Sequence, residues 1–258
     1  MIGRIQAARL HAAALLERSP GAPAVPAVPR LPWRLLWCPC CASTELGLDQ
    51  ALASGARPPL ALLTGQQRFG HGQRGRPWIS PPGGVWLSAT LPWPAQPATA
   101  AAVGLAVAVG LALQLEVLGL EVQLKWPNDL LVDGRKLAGL LPRLSLRGSA
   151  IRLARVGVGL NGRNRVPAGA ISLEEALGRR SRASEVPVLA ARVLAALEWA
   201  VHSSGRPELV RQLAERRLLV PSEGVMHRQE RCQVEGLSVD GALVLRRAGE
   251  RILLRRCF

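Results

Sequence analysis

The segment that most constrains the fold is a β-hairpin signal at Asp133-Gly134, which lies between two short runs of β-type residues at 130–132 and 136–141. Asp-Gly suits a two-residue hairpin turn because both central positions take a positive φ. Such a turn predicts a register that pairs Val132 with Arg135, Leu131 with Lys136 and Asp129 with Ala138. Opposed residues share a face of the sheet, so we expect Asp129 and Lys136 to be diagonal neighbours on one face.

Lysine occurs only in and just before this hairpin. Of 33 basic residues only Lys125 and Lys136 are lysine, and all the others are arginine. Where arginine has replaced nearly every cation, a retained lysine indicates chemistry that needs a compact ammonium group. If Pro127 leaves the alternation intact, Lys125 joins Asp129 and Lys136 on the same face. Two ammonium groups and a carboxylate suit a nucleotide phosphate and a divalent cation, whereas a surface ion pair is the alternative.

A loop at 67–78 combines glycines with arginines. The glycines of the loop are Gly70, Gly72 and Gly75, and its arginines are Arg68, Arg74 and Arg76. Glycine lets a backbone approach a ligand closely, and guanidinium groups suit phosphate or carboxylate. The spacing matches neither common nucleotide-binding glycine motif, so a mobile basic loop without function is the alternative.

A third segment, at 156–161, places glycines on one face of a predicted strand. Gly157, Gly159 and Asn161 alternate with three apolar residues. A strand face without side chains suits a flat ligand lying on the backbone, and close packing against a helix is the alternative.

Composition excludes several classes of protein. With 258 residues, of which 48% are hydrophobic and 20% charged, the chain can bury a core. The formal net charge of +15 comes from scattered arginines, so we expect a solvated basic surface with weak, salt-sensitive DNA binding and no specific DNA site.

Five cysteines do not make a disulfide scaffold and favour a reducing, cytoplasmic compartment. Cys38-Pro39-Cys40-Cys41 has no second ligand pair at zinc spacing, so we expect no structural zinc.

Three domains are predicted. Residues 1–34 form an arm with a short helix at 7–16 and a proline at every third position from Pro20 to Pro32, which indicates a tether. Its arginine-bearing, acid-poor start also fits an organellar transit peptide, and it is too short and proline-rich for a helix-turn-helix domain. Residues 35–217 form the main domain, and 218–258 form a small β domain.

The long uncharged stretch at 79–115 is broken by prolines, and its remainder at 98–115 predicts a buried helix rather than a membrane span.

Short β-type runs dominate the middle of the chain. We predict strands at 60–64, 85–91, 122–126, 130–132, 136–141 and 151–160. We predict further helices at 188–202 and 207–217, the latter with Pro207 in its first turn.

Taken in order, these segments resemble the biotin protein ligases, or biotin–[acetyl-CoA-carboxylase] ligases. The resemblance covers about residues 37–258 and rests on Ser43-Thr44, the loop at 67–78, Ser80-Pro81-Pro82-Gly83-Gly84, Lys125-Trp126-Pro127-Asn128-Asp129, Arg135-Lys136-Leu137-Ala138-Gly139 and Gly157-Val158-Gly159-Leu160-Asn161. The Lys-Trp-Pro-Asn-Asp and Lys-Leu-Ala-Gly motifs are highly specific at this spacing. The resemblance implies an α+β fold, a mixed β-sheet flanked by helices like that of class II aminoacyl-tRNA synthetases, followed by a small SH3-like β-barrel. It points to the form of the family without an N-terminal DNA-binding domain.

The family reaction has two steps. Biotin and MgATP form biotinyl-5′-AMP, and a lysine of the biotin carboxyl carrier protein of acetyl-CoA carboxylase then attacks the anhydride. The resemblance therefore implies ATP, Mg²⁺ and biotin as ligands and the apo carrier protein as partner, with a homodimer as one candidate assembly.

The resemblance also assigns roles to residues. It implies that biotin is bound by Ser43, Thr44, Gln67, Gly70, His71, Gly72, Gln73, Trp78 and Gly139. It implies that ATP and Mg²⁺ are served by Arg74, Arg76, Asn128, Asp129 and Asn161, with Asp129 as the metal ligand. Catalysis is assigned to Lys136, Lys125 and Arg74, through charge neutralisation and alignment rather than an enzyme nucleophile.

The sequence departs from the family pattern at three positions. Glu45 stands where the family usually has Asn after Ser-Thr, and His71 and Gln73 stand where the glycine loop usually has Arg. Two alternative functions remain: a lipoate or octanoate protein ligase or transferase of the same superfamily, and a basic nucleic-acid-binding protein.

Overall fold

A computed structural model describes residues 1–17, 30–95 and 102–255. The helices are α1 (Ile2–Glu17), α2 (Thr44–Ala53), α3 (Val103–Glu116), α4 (Leu173–Ala176), α5 (Val186–His202) and α6 (Pro207–Glu215). The strands are β1 (Arg34–Cys38), β2 (Leu60–Thr64), β3 (Val85–Leu91), β4 (Gln123–Lys125), β5 (Asp129–Val132), β6 (Arg135–Arg147), β7 (Ala150–Leu160), β8 (Val225–His227), β9 (Glu230–Leu237), β10 (Leu243–Arg247) and β11 (Glu250–Leu254).

Seven strands form one mixed sheet in the order β1-β2-β3-β7-β6-β5-β4. β1 and β2 run parallel, and the remaining neighbours are antiparallel. All six predicted strands are present, with β2 and β3 at the predicted bounds, whereas β1 and α2 were not predicted. The expectation of an α+β fold with a helix-flanked mixed sheet is confirmed.

The central hairpin differs from its predicted register by one bulge. Val132 pairs with Arg135 and Leu131 with Lys136, as expected, but Asp129 pairs with Gly139 rather than Ala138. The register shifts between Leu130 and Leu131, because a bulge sets two residues of one strand opposite one of the other. As a result Gly139 joins Asp129 and Lys136 on one face.

The two faces of the sheet have different partners. Along β2, Ala61 and Leu63 belong to the main core with α3 and α5, while Leu60 and Leu62 pack against Leu48 of α2. This alternation follows from the twofold period of a strand. Helix α3 is buried on all sides, as predicted for the apolar stretch. Within the described residues no helix is both long and apolar enough to cross a membrane.

The N-terminal helix is part of the core rather than a free tether. Ile5 and Ala12 are buried, and α1 packs along α5. Near its base, the Glu198 carboxylate accepts hydrogen bonds from Trp33 Nε1 (3.0 Å) and Leu31 N (3.1 Å). The tether interpretation is therefore wrong for α1, which is also longer than the predicted helix. The proline repeat at 20–29 lies outside the described residues.

The C-terminal strands form a separate antiparallel sheet in the order β11-β10-β9-β8, which fits the expected small β domain. Hydrogen bonds join it to the main domain: Trp126 Nε1 donates to Gly241 O (3.0 Å), and Leu237 N donates to Glu215 Oε1 (2.8 Å). Apolar residues of β9 and β10 continue the main core. The domain boundaries at 34 and 217 stay predictions.

Candidate functional site

A cavity of about 330 Å³ lies on the sheet face that carries α2. Most of the predicted site residues line it: Ser43, Thr44, Gln67, His71, Gly72, Gln73, Arg76, Trp78, Asn128, Asp129, Lys136, Gly139 and Asn161. The lining therefore draws on segments that are far apart in the sequence and meet only in the fold.

One end of the cavity is a network of uncharged polar groups around Gln67. Its Oε1 accepts from Thr44 N (2.8 Å) and Thr44 Oγ1 (3.1 Å), and its Nε2 donates to Ser80 Oγ (2.8 Å). Thr44 Oγ1 also lies 2.8 Å from Ser88 Oγ. Ser43 caps α2, where its side chain accepts from Glu45 N. Because each group is held by another, the network is fixed before a ligand arrives.

Cys41 lies directly behind this network. It forms an isolated β-bridge with Gln67, and burial raises the pKa of its thiol to about 11. A thiol with a raised pKa stays protonated at neutral pH and is a poor nucleophile or metal ligand. Among the described residues no cluster of three or more His, Cys, Asp and Glu side chains could hold a metal ion.

The floor of the cavity is the glycine face of β7, with Gly157 at one end and Asn161 at the other. A Cβ on Gly159 would lie 2.5 Å from Trp78 Cε2, and one on Gly139 would lie 2.8 Å from Trp78 Cζ3. The Trp78 ring therefore rests directly on the two glycines. Part of the glycine face of β7 thus packs against the indole ring, while Gly157 faces the cavity.

Lys136 and Asp129 meet beside the Trp78 ring. Lys136 Nζ lies 2.7 Å from Asp129 Oδ1, as an ion pair whose alignment falls short of a hydrogen bond, and 4.8 Å from the centre of the indole ring. The backbone of Lys136 is fixed by hydrogen bonds with Gly169 and Ile171. The predicted pairing of the lysine and the carboxylate is confirmed, with the ammonium between the Asp129 carboxylate and the Trp78 ring.

Two asparagines continue the site beyond this pair. Asn128 Nδ2 donates to Leu140 O (2.7 Å), which leaves its Oδ1 available. Asn161 is 5% exposed; its Oδ1 accepts from Asn164 Nδ2 (3.1 Å), and its Nδ2 lies 3.4 Å from Lys136 O. Asn164 was not singled out from the sequence, although it follows Asn161 by three residues.

The glycine loop forms one wall. Gly72 N bonds to Arg76 O (2.8 Å), and Trp78 N bonds to Gly70 O (2.8 Å), so the loop is a compact turn. A Cβ on Gly70 would lie 2.6 Å from Trp78 O, which explains the need for glycine there. Arg74 takes a positive φ of 57° at the exposed tip.

Three predicted site residues do not line the cavity. Gly70 packs behind the loop, Arg74 lies in a neighbouring groove, and Lys125 is exposed. Lys125 does pair in register with Asp129 and so shares its face, as predicted, but at the strand's end.

Two residues gain importance in the structure. Glu45 is buried at the polar end, and Arg143 of β6 lies next to it, with Nε 3.9 Å from Glu45 Oε2. Arg143 had no sequence signal, because β6 was predicted to end at 141.

Asp129 and Asn128 offer the oxygen ligands that a hard ion such as Mg²⁺ prefers. Mg²⁺ binds through one or two carboxylates together with waters and substrate phosphates, rather than through an all-protein cage. The Asp129 carboxylate, whose Oδ1 lies 2.7 Å from Lys136 Nζ, and the Asn128 side chain both line the cavity. A softer ion would need sulfur or imidazole ligands that this end does not provide.

Comparison with known proteins agrees with this architecture. A model of the biotin/lipoate A/B protein ligase family matches residues 39–161. The bifunctional ligase/repressor BirA of Escherichia coli is 36% identical over 148 residues, which are 54% of this chain and 46% of that protein. The biotin–[acetyl-CoA-carboxylase] ligase of Paracoccus denitrificans is 36% identical over 126 residues, 46% of this chain and 51% of that protein. The matched part thus spans about half the length of these curated relatives.

A solved structure shares the fold. The biotin protein ligase from Aquifex aeolicus in complex with biotin and ATP superposes with a TM-score of 0.63 over 85% of this chain and 94% of that chain, at 24% identity. The family match begins just before the Ser43-Thr44 cap and ends at Asn161, so it encloses the cavity-lining residues described above except Pro167 and Ala170. Residues 39–161 of this chain are therefore similar to the biotin/lipoate A/B protein ligase family.

Proposed function

We propose that this protein is an ATP-dependent biotin ligase that forms biotinyl-5′-AMP and transfers biotin to a lysine of the biotin carboxyl carrier protein. One observation carries the proposal. The Lys136–Asp129 pair stands over an indole ring in the middle of a cavity, between a network of polar groups and an asparagine-lined end.

The cavity extends along the sheet from the polar network to Asn161. Gly157 lies in β7 and Asn161 directly follows this strand, so the two are about 13 Å apart at roughly 3.3 Å per residue. Biotin would lie with its bicyclic ring against the Thr44–Gln67 network and its carboxylate towards Lys136. The nucleotide would then lie towards Asn161, and the carboxylate and α-phosphate would meet at the ammonium group.

The reaction follows from this placement. A carboxylate oxygen of biotin attacks the α-phosphorus of ATP, and pyrophosphate leaves. The Lys136 ammonium opposes the negative charge that gathers on the reacting oxygens, where a fixed cation is most effective. In the second step the amine of a carrier lysine attacks the acyl carbon, AMP leaves, and the amine loses a proton.

Asp129 and Asn128 would hold Mg²⁺ in this scheme. The ion would neutralise charge on the phosphate oxygens of ATP. The protein's own contribution is to hold the Asp129 carboxylate 2.7 Å from the Lys136 ammonium, so that both groups lie at the same place in the cavity.

The polar end of the cavity favours biotin over lipoate. Thr44, Gln67 and Ser88 present hydroxyl and amide groups there, and the cyclic urea of biotin offers both N–H donors and a carbonyl acceptor. The dithiolane ring of lipoate offers neither and would form no such hydrogen bonds with this polar end. A lipoate ligase therefore remains the second candidate without a supporting contact.

In the same scheme the lysine of the carrier protein is the acceptor of the biotinyl group. We also expect only weak DNA binding, which falls as the salt concentration rises. We keep a cytoplasmic location and a homodimer as expectations only.

Biotin-dependent exchange between pyrophosphate and ATP tests the first step directly. We expect exchange that needs both Mg²⁺ and biotin and that lipoate does not support. Exchange with lipoate and not with biotin would replace the proposal with its alternative, and no exchange with either acid would refute both.

A further inference from the structure

Glu45 is a buried carboxylate in the cavity for which neither the reaction scheme nor the polar network has a use. It is 6% exposed and follows Thr44 in the first turn of α2. Its Oε1 oxygen has no hydrogen-bond partner among the described residues. Burying an unpartnered carboxylate oxygen is costly, so its retention indicates that a ligand supplies the missing donor.

The oxygen points across the floor of the cavity. A Cβ on Gly157 would lie 3.3 Å from Glu45 Oε1, and Gly157 is the residue at the polar end of the glycine face. Because Gly157 has no side chain, the carboxylate lies directly against the glycine floor. A ligand ring on that floor would lie beside Oε1.

The other acceptors at this end are already engaged. Gln67 Oε1 accepts from both the amide and the hydroxyl of Thr44. Ser80 Oγ donates to Trp78 O and accepts from Gln67. Glu45 Oε1 is thus the strong acceptor that this end keeps free.

Arg143 holds the carboxylate in position from the other side. Its Nε lies 3.9 Å from Glu45 Oε2, and its Nη2 lies 3.5 Å from His71 Nε2 in the glycine loop. The guanidinium balances the charge of Glu45 without covering Oε1. It also links two of the three positions at which this chain departs from the family pattern.

We propose that Glu45 is a specificity-determining residue whose Oε1 accepts an N–H of the ligand's cyclic urea. This inference rests on the proposed function and deepens it, because it assigns the discrimination between a cyclic urea and a dithiolane to one charged acceptor. A carboxylate makes a stronger hydrogen bond to N–H than a neutral amide does.

The test is a comparison of biotin with 2-iminobiotin, whose cyclic guanidinium is cationic at neutral pH. Direct binding of both ligands is measured by calorimetry for the wild type, Glu45→Gln and Glu45→Leu. Asp49→Asn is the matched control, because Asp49 lies one turn later on α2, pairs with Arg155 and is exposed. Thermal unfolding of each variant reports whether the fold is intact.

We expect Glu45→Gln to weaken biotin binding by about tenfold and Glu45→Leu by about 10- to 100-fold, as for loss of a hydrogen bond to a charged group. Because the substitution removes a negative charge facing the ring, 2-iminobiotin should lose about tenfold more than biotin in Glu45→Gln. Asp49→Asn should stay within about twofold of the wild type for both ligands.

Equal losses for both ligands, or unchanged binding in folded Glu45 variants, would overturn this inference while leaving biotin ligation intact. A wild type that does not bind biotin would overturn the proposed function as well.

Discussion

A single methyl group at Gly159 should disable the site. In Gly159→Ala the new Cβ would lie 2.5–2.6 Å from Cε2, Cζ2 and Nε1 of Trp78. Carbon atoms in contact prefer about 3.5–4.0 Å, so the indole ring has to retreat by roughly 1 Å. That ring also rests on Gly139 and lies under the Lys136 ammonium, so its movement displaces the group that we propose faces the reacting carboxylate.

Two magnitudes follow. Inserting a methyl into a packed position costs about 1–3 kcal/mol of unfolding free energy. Displacement of a positioned group by about 1 Å costs on the order of 10²-fold in rate. We therefore expect a folded variant whose adenylate formation falls by about two orders of magnitude, a larger effect than its loss of stability implies.

The assay is the initial rate of biotinyl-5′-AMP formation, measured beside chemical unfolding of the same preparation. Gly205→Ala is the control, because a Cβ there meets nothing within 4 Å and its φ is not positive. It should leave rate and stability unchanged. A Gly159→Ala enzyme with the wild-type rate would refute the argument that Trp78 positions Lys136.

Three further predictions follow. Lys136→Ala should lower the rate of adenylate formation by about 10²–10³-fold, and Lys136→Arg should rescue it poorly because a planar fork does not replace a compact ammonium; full activity of Lys136→Arg would contradict this. Gln73→Arg should slow the escape of preformed biotinyl-5′-AMP into a trap, since Gln73 lines the cavity with its Nε2 buried and unpartnered, and an arginine adds fixed positive charge facing the phosphate; an unchanged escape rate would show that this position does not hold the adenylate. Burial raises the pKa of Glu198 in the folded state, so its contribution to stability is full below the unfolded pKa and is lost as pH rises through the folded pKa. The unfolding free energy of the wild type should therefore fall relative to Glu198→Gln as pH rises above the usual pKa of a glutamate, and a difference that stays constant with pH would be inconsistent with this reasoning.

Local signals predicted the centre of the site well. Asp133-Gly134 fixed the hairpin, and the alternation of strand residues placed Lys136 beside Asp129. These inferences succeed because turn chemistry and side-chain alternation act over a few residues. The retained lysine at 136 was informative for a different reason, since the arginine bias of the chain made it stand out.

Long-range packing explains what the sequence did not predict. The bulge that brings Gly139 onto the cavity face depends on how β5 and β6 fit the whole sheet. Trp78 packs on Gly139 and Gly159, which follow it by 61 and 81 positions, so no local sequence pattern predicts these contacts. The docking of α1 onto α5 was not predicted, because it joins two segments that are far apart in the sequence and the proline repeat after α1 indicated a tether.

The role of Glu45 also could not be predicted from the sequence alone. Its identity as a departure from the family pattern was visible in the sequence, but its burial and its free oxygen were not. A glutamate in the first turn of a helix is usually a solvated residue that favours the helix dipole. Only the fold places it opposite Gly157.

The most direct test of the central claim is the intact mass of an apo biotin carboxyl carrier domain after incubation with this protein, ATP, Mg²⁺ and biotin. We predict a mass increase of one biotinyl group, located on a single lysine, that is absent without ATP and absent with Lys136→Ala. A carrier domain of unchanged mass, or one that gains a lipoyl group instead when lipoate is supplied, would contradict the account.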